Sequence, residues 1–129
     1  MPRSNQCSRK VLLVEDEALI AMVAAETLIE LGFDVVEATT ARAALRHAGA
    51  DEAQFAFAVV DLGLPDLPGE ELIAELKELR PDFPIIVASG YSEQALRDRL
   101  KVDDACLAFL SKPYDLAGLQ TAINALARE

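Results

Sequence analysis

Three apolar runs of this chain each end in side chains suited to phosphoryl chemistry. Residues 55–60 run into Asp61 and then into the turn-rich stretch Leu-Gly-Leu-Pro-Asp-Leu-Pro-Gly. Residues 11–14 run into Glu15-Asp16-Glu17, and Phe109-Leu110 runs into Ser111-Lys112-Pro113. A carboxylate at the carboxyl end of a buried strand stands where open α/β sheets build ligand sites. Asp61 in that position is a nucleophile able to accept a phosphoryl group as an acyl phosphate. Glu15 and Asp16 beside it would repel it strongly without an intervening cation. Three hard oxygen donors with room for water suit Mg²⁺. Asp16 is expected to contact the metal directly and Glu15 directly or through water, with a backbone carbonyl near Gly63 completing the shell. Glu17 takes the simpler part of an acid in the first turn of a helix. The Lys112 amine, following a buried strand, can reach Asp61, balance its charge and bind a transferred phosphoryl oxygen. Ser89 ends a fourth apolar run and precedes Gly90, so its hydroxyl can face the same crevice; its competing role is a turn or helix cap.

These residues need a frame that brings the strand ends together. Strand-like runs occupy residues 11–14, 33–37, 55–60, 84–88 and 107–110. Helical periodicity lies between them. Ile20, Val23, Thr27, Leu28 and Leu31 form one apolar face, which Gly32 ends. Ala41, Ala44, Leu45 and Ala48 form a weaker second face that ends near Gly49. A third helix starts at Pro68, buries Leu72, Ile73, Leu76 and Leu79, and stops before Pro81. Asp115 is placed to cap a last helix with Leu116, Leu119, Ile123 and Leu126 on its face. The segment 92–102 has the poorest helical pattern, with Ala95, Leu96 and Leu100 apolar among charges, and is expected to be the most mobile element.

Strands alternating with helices predict an α/β fold, a doubly wound five-stranded parallel sheet with helices on both faces. Residues 55–60 and 85–88 are apolar on both sides, as buried parallel strands require. Right-handed crossovers leave 2-1-3-4-5 as the expected strand order. Its switch point falls between strands one and three, which end in Glu15-Asp16 and Asp61.

Composition narrows the class. At 129 residues the chain holds one domain with a single good core; residues 1–9 are expected to be a disordered tail and 10–129 the domain. A 52% apolar and 26% charged composition indicates a soluble globular protein, with no run long enough to span a bilayer. No apolar segment follows the basic N-terminus, which disfavours a signal peptide and favours a cytoplasmic location. A formal charge of −10 disfavours direct nucleic-acid binding and anionic membranes. Cys7 and Cys106 have no metal-ligand spacing and read as idle thiols of a reducing compartment. His47 has no Cys or His neighbour in sequence and reads as a solvent-side imidazole. Met1 and the end at Glu129 favour a stand-alone protein.

Four segments together carry a family resemblance: Val14-Glu15-Asp16-Glu17, Val60-Asp61-Leu62-Gly63-Leu64-Pro65, Ala88-Ser89-Gly90-Tyr91 and Leu110-Ser111-Lys112-Pro113. In this order the chain resembles a receiver domain of a two-component response regulator, from about residue 11 to 127. The stretch Pro84-Ile85-Ile86-Val87-Ala88-Ser89-Gly90-Tyr91 is similar to that of a receiver subgroup with Pro-x-x-x-Ala-Ser/Thr-Gly-Tyr. The resemblance implies a flavodoxin-like (βα)5 fold and phosphorylation of Asp61 by a histidine kinase or histidine phosphotransfer protein. It implies Mg²⁺ at Glu15 and Asp16, and phosphoryl oxygens held by Ser89 and Lys112. Signalling would pass through the face made by the fourth strand, the fourth helix, the fifth strand and the last helix, to a downstream effector protein. Gly63 and Tyr91 would flank the phosphoryl group: Gly63 removes an obstruction to water, and Tyr91 either covers the site or packs on the surface. Phe109 stands at the family's switch-aromatic position without a tyrosine hydroxyl, as a core residue or a rotamer switch. Glu15-Asp16 departs mildly from the family's more usual pair of aspartates.

The expected activity is that of a phosphoacceptor switch, not an enzyme acting on other substrates. Two rival functions fit these residues less well. A degenerate receiver, binding partners without phosphorylation, fits poorly with so complete a residue set. An aspartyl-phosphate phosphatase of the haloacid-dehalogenase-like kind would want an acid where the chain has Gly63.

Overall fold

The computed structural model describes residues 10–51, 55–81, 83–89, 107–111 and 116–127. Five parallel strands, β1 (Lys10–Val14), β2 (Asp34–Ala38), β3 (Phe55–Asp61), β4 (Ile85–Ser89) and β5 (Leu107–Ser111), form one sheet in the order β2-β1-β3-β4-β5. The helices among the described residues are α1 (Ala18–Glu30), α2 (Ala41–Asp51), α3 (Gly69–Leu79) and α4 (Leu116–Ala127). The expected helix over 92–102 and the capping residue Asp115 lie outside the described residues.

Alternation along each strand sorts the core into two layers. Leu12, Val14, Phe55, Ala58, Val60, Ile85 and Val87 pack with Ala41, Ala44 and Ala48 of α2 and Leu72, Ile73 and Leu76 of α3. Val11, Leu13, Phe57, Val59, Ile86, Ala88, Ala108 and Leu110 pack with Ala24, Ala25 and Leu28 of α1 and Leu119 and Ala122 of α4. A sheet buried on both faces needs the continuous apolar strands that the sequence displays.

Two expected helix faces are corrected. On α1 the buried residues are Ala21, Ala24, Ala25 and Leu28, whereas Val23 is half exposed. Small alanines let the helix axis approach the sheet, and the larger side chains turn outward. On α3 Leu79 is exposed, not buried, because it occupies the last helical residue. Helix α2 ends at Asp51, two residues past Gly49, and His47 is half-buried. Gly32 does terminate α1: it has φ of 99°, its N–H donates to the Ile29 carbonyl, and the Phe33 N–H donates to the Leu28 carbonyl. This is the double hydrogen bond of a Schellman C-cap.

Basic side chains fasten the amino edge of the sheet, opposite the acids. Arg80 Nη1–H donates to the Phe55 carbonyl at 2.8 Å and its guanidinium lies 5.1 Å from the centre of the Phe83 ring. Lys77 Nζ donates to the Phe83 carbonyl at 2.7 Å. Arg80→Ala removes a charge-assisted bond and a cation–π contact together, so it is expected to destabilise the fold by about 1–2 kcal/mol. Urea unfolding should record that loss while chemistry at the far edge is unchanged.

Candidate functional site

The strand registers deliver the acids to one place. Val14 pairs with Ala38 on one side and Val60 on the other, so the next residues outward, Glu15 and Asp61, leave adjacent strand ends. The Glu15 N–H donates to the Ala38 carbonyl at 3.0 Å, extending the β1–β2 ladder by one residue. Asp61 pairs with Ala88, which puts Ser89 one step further along the neighbouring strand.

Glu15, Asp61 and Ser89 are the buried polar residues among those described, at 2%, 6% and 4% exposure. Carboxylates are buried at a cost unless something compensates their charge. Asp16 is exposed at the mouth. One carboxylate oxygen from each of Glu15, Asp16 and Asp61 lies within 4.8 Å of the others. Main-chain donors orient two of them: Glu17 N–H to Glu15 Oε2 and Gly63 N–H to Asp61 Oδ1, each at 3.3 Å. This is a hard, anionic, all-oxygen donor set, of the kind that suits Mg²⁺ or Ca²⁺.

The loop leaving Asp61 is held closely. The Leu62 N–H donates to the Ala88 carbonyl at 3.4 Å and the Gly69 N–H returns to the Leu62 carbonyl at 3.3 Å. A Cβ at Gly69 would stand 2.5 Å from the Leu62 Cα, so only glycine lets α3 start against this loop. At Gly63 an added Cβ would make ordinary contacts of 3.9 and 4.0 Å with the Asp61 carboxylate oxygens. Position 63 therefore borders the Asp61 carboxylate and has room for a side chain.

Sequence reasoning missed Asp66. Its Oδ1 accepts from the Ala41 N–H at 2.9 Å and its Oδ2 from the Arg42 N–H at 3.1 Å. Thr40 Oγ1 accepts from the Ala43 N–H at 3.1 Å. The first three free N–H groups of α2 are thus all satisfied, one of them by the preceding threonine and two by a residue 24 to 25 positions away. A threonine before a helix is a legible cap; Asp66 in a Pro-Asp-Leu-Pro run shows only a turn former. The Ala41 N–H is the main cause holding the Asp66 carboxyl below its ordinary 3.8, with the Arg42 N–H and guanidinium adding to it against partial desolvation.

A depressed folded-state value means stability that is fully present above the unfolded-state pKa and lost as pH falls through the folded one. The stability gap between wild type and Asp66→Asn is therefore expected to be constant at neutral pH and to close below 3.8. Urea midpoints across an acid pH series would measure it.

Phe109 pairs with Val87 on β4 and is partly buried against the α2–α3 side of the core. Lys112, Gly90 and Tyr91 lie outside the described residues, as do Cys7 and Cys106. No helix among the described residues is long and apolar enough to cross a membrane.

The response regulator receiver domain model matches residues 11–124. Sensor kinase CckA of Brucella abortus is 35% identical over 117 residues, covering 91% of this chain and 12% of that protein. The chain spans about half the length of further curated relatives. Among solved structures, a response regulator receiver protein from Sinorhizobium medicae superposes with a TM-score of 0.81 at 27% identity, covering 98% of this chain and 100% of that one. A response regulator from Burkholderia pseudomallei, solved with a phosphorylated aspartic acid, calcium ion and citrate, gives 0.78 at 31% identity over 94% of this chain and 71% of that one. With this fold and this family match, the chain belongs to the response regulator receiver domain family of two-component signalling.

Proposed function

We propose that the chain accepts a phosphoryl group on Asp61 from a histidine kinase or histidine phosphotransfer protein, and acts as a switch rather than as an enzyme on other substrates. The observation that carries this reading is the meeting of the Glu15, Asp16 and Asp61 carboxylates within 4.8 Å at adjacent strand ends. The Gly63 N–H on Asp61 Oδ1 supports it, because it fixes the carboxylate's orientation. Asp61 would attack phosphorus in line with the departing imidazole: an O–P bond forms as the N–P bond breaks. Glu15, Asp16, Asp61 and the Gly63 carbonyl are the residues that would hold Mg²⁺, which when bound neutralises charge on the transferring group. Ser89 and Lys112 would take phosphoryl oxygens, and water reaching the acyl phosphate past Gly63 would reset the switch. The Burkholderia relative with its phosphorylated aspartic acid and calcium ion supports the same chemistry.

A protein phosphodonor suits the surroundings of the mouth. An open groove of about 370 Å³ runs from Glu15 and Asp16 along Ala21, Met22 and Ile29, and α1 also exposes the apolar Leu19 and Val23. The output in this reading is a rearrangement of the face made by β4, the segment 92–102, β5 and α4, with Ser89 moving toward the new charge and Phe109 responding. Tyr91 and Gly90 would flank the phosphoryl group. Residues 10–129 form the receiver and 1–9 a tail, working in the cytoplasm. Intact mass after incubation with acetyl phosphate tests the core of this: one added phosphoryl group with Mg²⁺, and none after chelation, is the expected result. No adduct together with no beryllofluoride-induced amide shifts would overturn it.

A further inference from the structure

We propose that Asp66 is a positioning residue for the acceptor site, tying the loop that leaves Asp61 to the start of α2. The inference rests on the reading of Glu15, Asp16, Asp61 and the Gly63 carbonyl as a metal shell, and extends it to a residue outside that shell.

Residues 62–68 link Asp61 to α3. Leu62, Leu64 and Leu67 give the loop partly buried contacts with the core, but apolar contacts are non-directional and set no orientation for a main-chain carbonyl. Directional bonds do. At its two ends the loop bonds to β4 and to itself, through Leu62 and Gly69. Asp66 alone among its described residues bonds to a helix other than α3, using both carboxylate oxygens on consecutive N–H groups. The anchor is firm, because Ala41, Ala44 and Ala48 of α2 are fully buried.

Thr40 caps one N–H of α2 and Asp66 two, and the Asp66 bonds in addition connect the helix to the loop. Its ion pair with Arg42 is a minor part: the distance is 3.8 Å and the arginine side chain is 82% exposed, where such pairs contribute little. The dipole of α2 and its two N–H groups favour the carboxylate there. Released from α2, the loop would hold Gly63 less firmly against Asp61. Metal affinity and the rate of phosphorylation would fall together, with the acids themselves untouched.

Thr40 supplies the control, since its hydroxyl caps the same helix through the Ala43 N–H and not through a hydrogen bond to the loop. Asp66→Ala, Asp66→Asn and Thr40→Ala would be compared by Mg²⁺ titration calorimetry and by the rate of phosphorylation from acetyl phosphate at fixed Mg²⁺, with urea midpoints recorded for each. The Mg²⁺ dissociation constant is expected to rise about tenfold in Asp66→Ala, the lower end of the effect of outer-shell partners, and to change by less than about twofold in Thr40→Ala. Asp66→Asn, which keeps one acceptor oxygen, should fall between, and it carries the test if the alanine variant does not fold. Equal shifts in the Asp66 and Thr40 variants, or none in either, would show that Asp66 serves only the helix and would overturn the inference. Wild-type Mg²⁺ binding that Asp16→Ala leaves unchanged is a different failure: it would overturn the reading of the site, and this inference with it.

Discussion

Asp61→Asn is expected to abolish the Mg²⁺-dependent phosphoryl adduct while leaving the fold intact. An amide oxygen is a poor nucleophile, so attack on phosphorus stops. Asparagine has the shape of aspartate and can still accept the Gly63 N–H bond that orients Asp61 Oδ1, so the loop has no reason to move. Charge is what changes. Asp61 is one of three carboxylates whose oxygens lie within 4.8 Å, and removing one charge relieves like-charge repulsion in the metal-free protein. Its urea midpoint is therefore expected to be unchanged or raised. On the proposed reading the wild type would gain stability from added Mg²⁺, about 2.7 kcal/mol at a concentration one hundred times the dissociation constant, and the variant should lose most of that gain. Intact mass and urea midpoints with and without Mg²⁺ measure both effects. An adduct that persists in Asp61→Asn at the wild-type rate would put the acceptor elsewhere.

Gly69→Ala is expected to destabilise the protein by about 1–3 kcal/mol, the range for forcing an atom into a packed site. The added Cβ would stand 2.5 Å from the Leu62 Cα, 2.6 Å from its Cδ2 and 3.1 Å from the Asp61 carbonyl oxygen. A side-chain methyl can rotate away, but a Cα cannot, so either the start of α3 or the acceptor loop must shift. Alanine's better helix propensity and the smaller entropy of the unfolded chain return about 0.4–1 kcal/mol, less than the contact costs. Because the displaced atoms belong to Asp61 and Leu62, the rate of phosphorylation should drop as well. Gly63→Ala is the contrast. Its Cβ would meet the Asp61 carboxylate oxygens at 3.9 and 4.0 Å, an ordinary contact, and stability should stay within about 0.5 kcal/mol. A Gly69→Ala variant as stable as wild type would mean that α3 can start elsewhere.

Much of the fold is legible along the chain because parallel strands buried on both faces must be apolar throughout. The runs of β1, β3, β4 and β5 stand out against helical periodicity, whereas the edge strand β2 exposes Asp34 and Glu37. With strand order limited by crossover handedness, the acids after β1 and β3 had to meet at the switch point, and residue type alone pointed to a hard cation and a carboxylate nucleophile. The observed strands differ from the expected ones by a residue at their ends. Gly32 is similarly plain, since a glycine after an apolar helical face is the common way to end it.

The face of α1 was not legible. Ala18 to Ala25 reads Ala-Leu-Ile-Ala-Met-Val-Ala-Ala, apolar on every side, so periodicity cannot say which side meets the sheet. Size decides it: Ala21, Ala24 and Ala25 are buried, while Leu19, Met22 and Val23 are exposed. Gly69 likewise looks like any glycine near a helix start until Leu62 is seen pressed against it.

By itself, then, the amino-acid sequence determined the layered sheet, its strand order and the acids gathered at one edge, because burial on two faces and the handedness of crossovers act through local pattern. Only the tertiary structure decided how the loop after Asp61 is held, through the close approach at Gly69 and the Asp66 bonds to α2. Contacts between residues 25 positions apart have no period and no motif, and depend on the packed distance between elements.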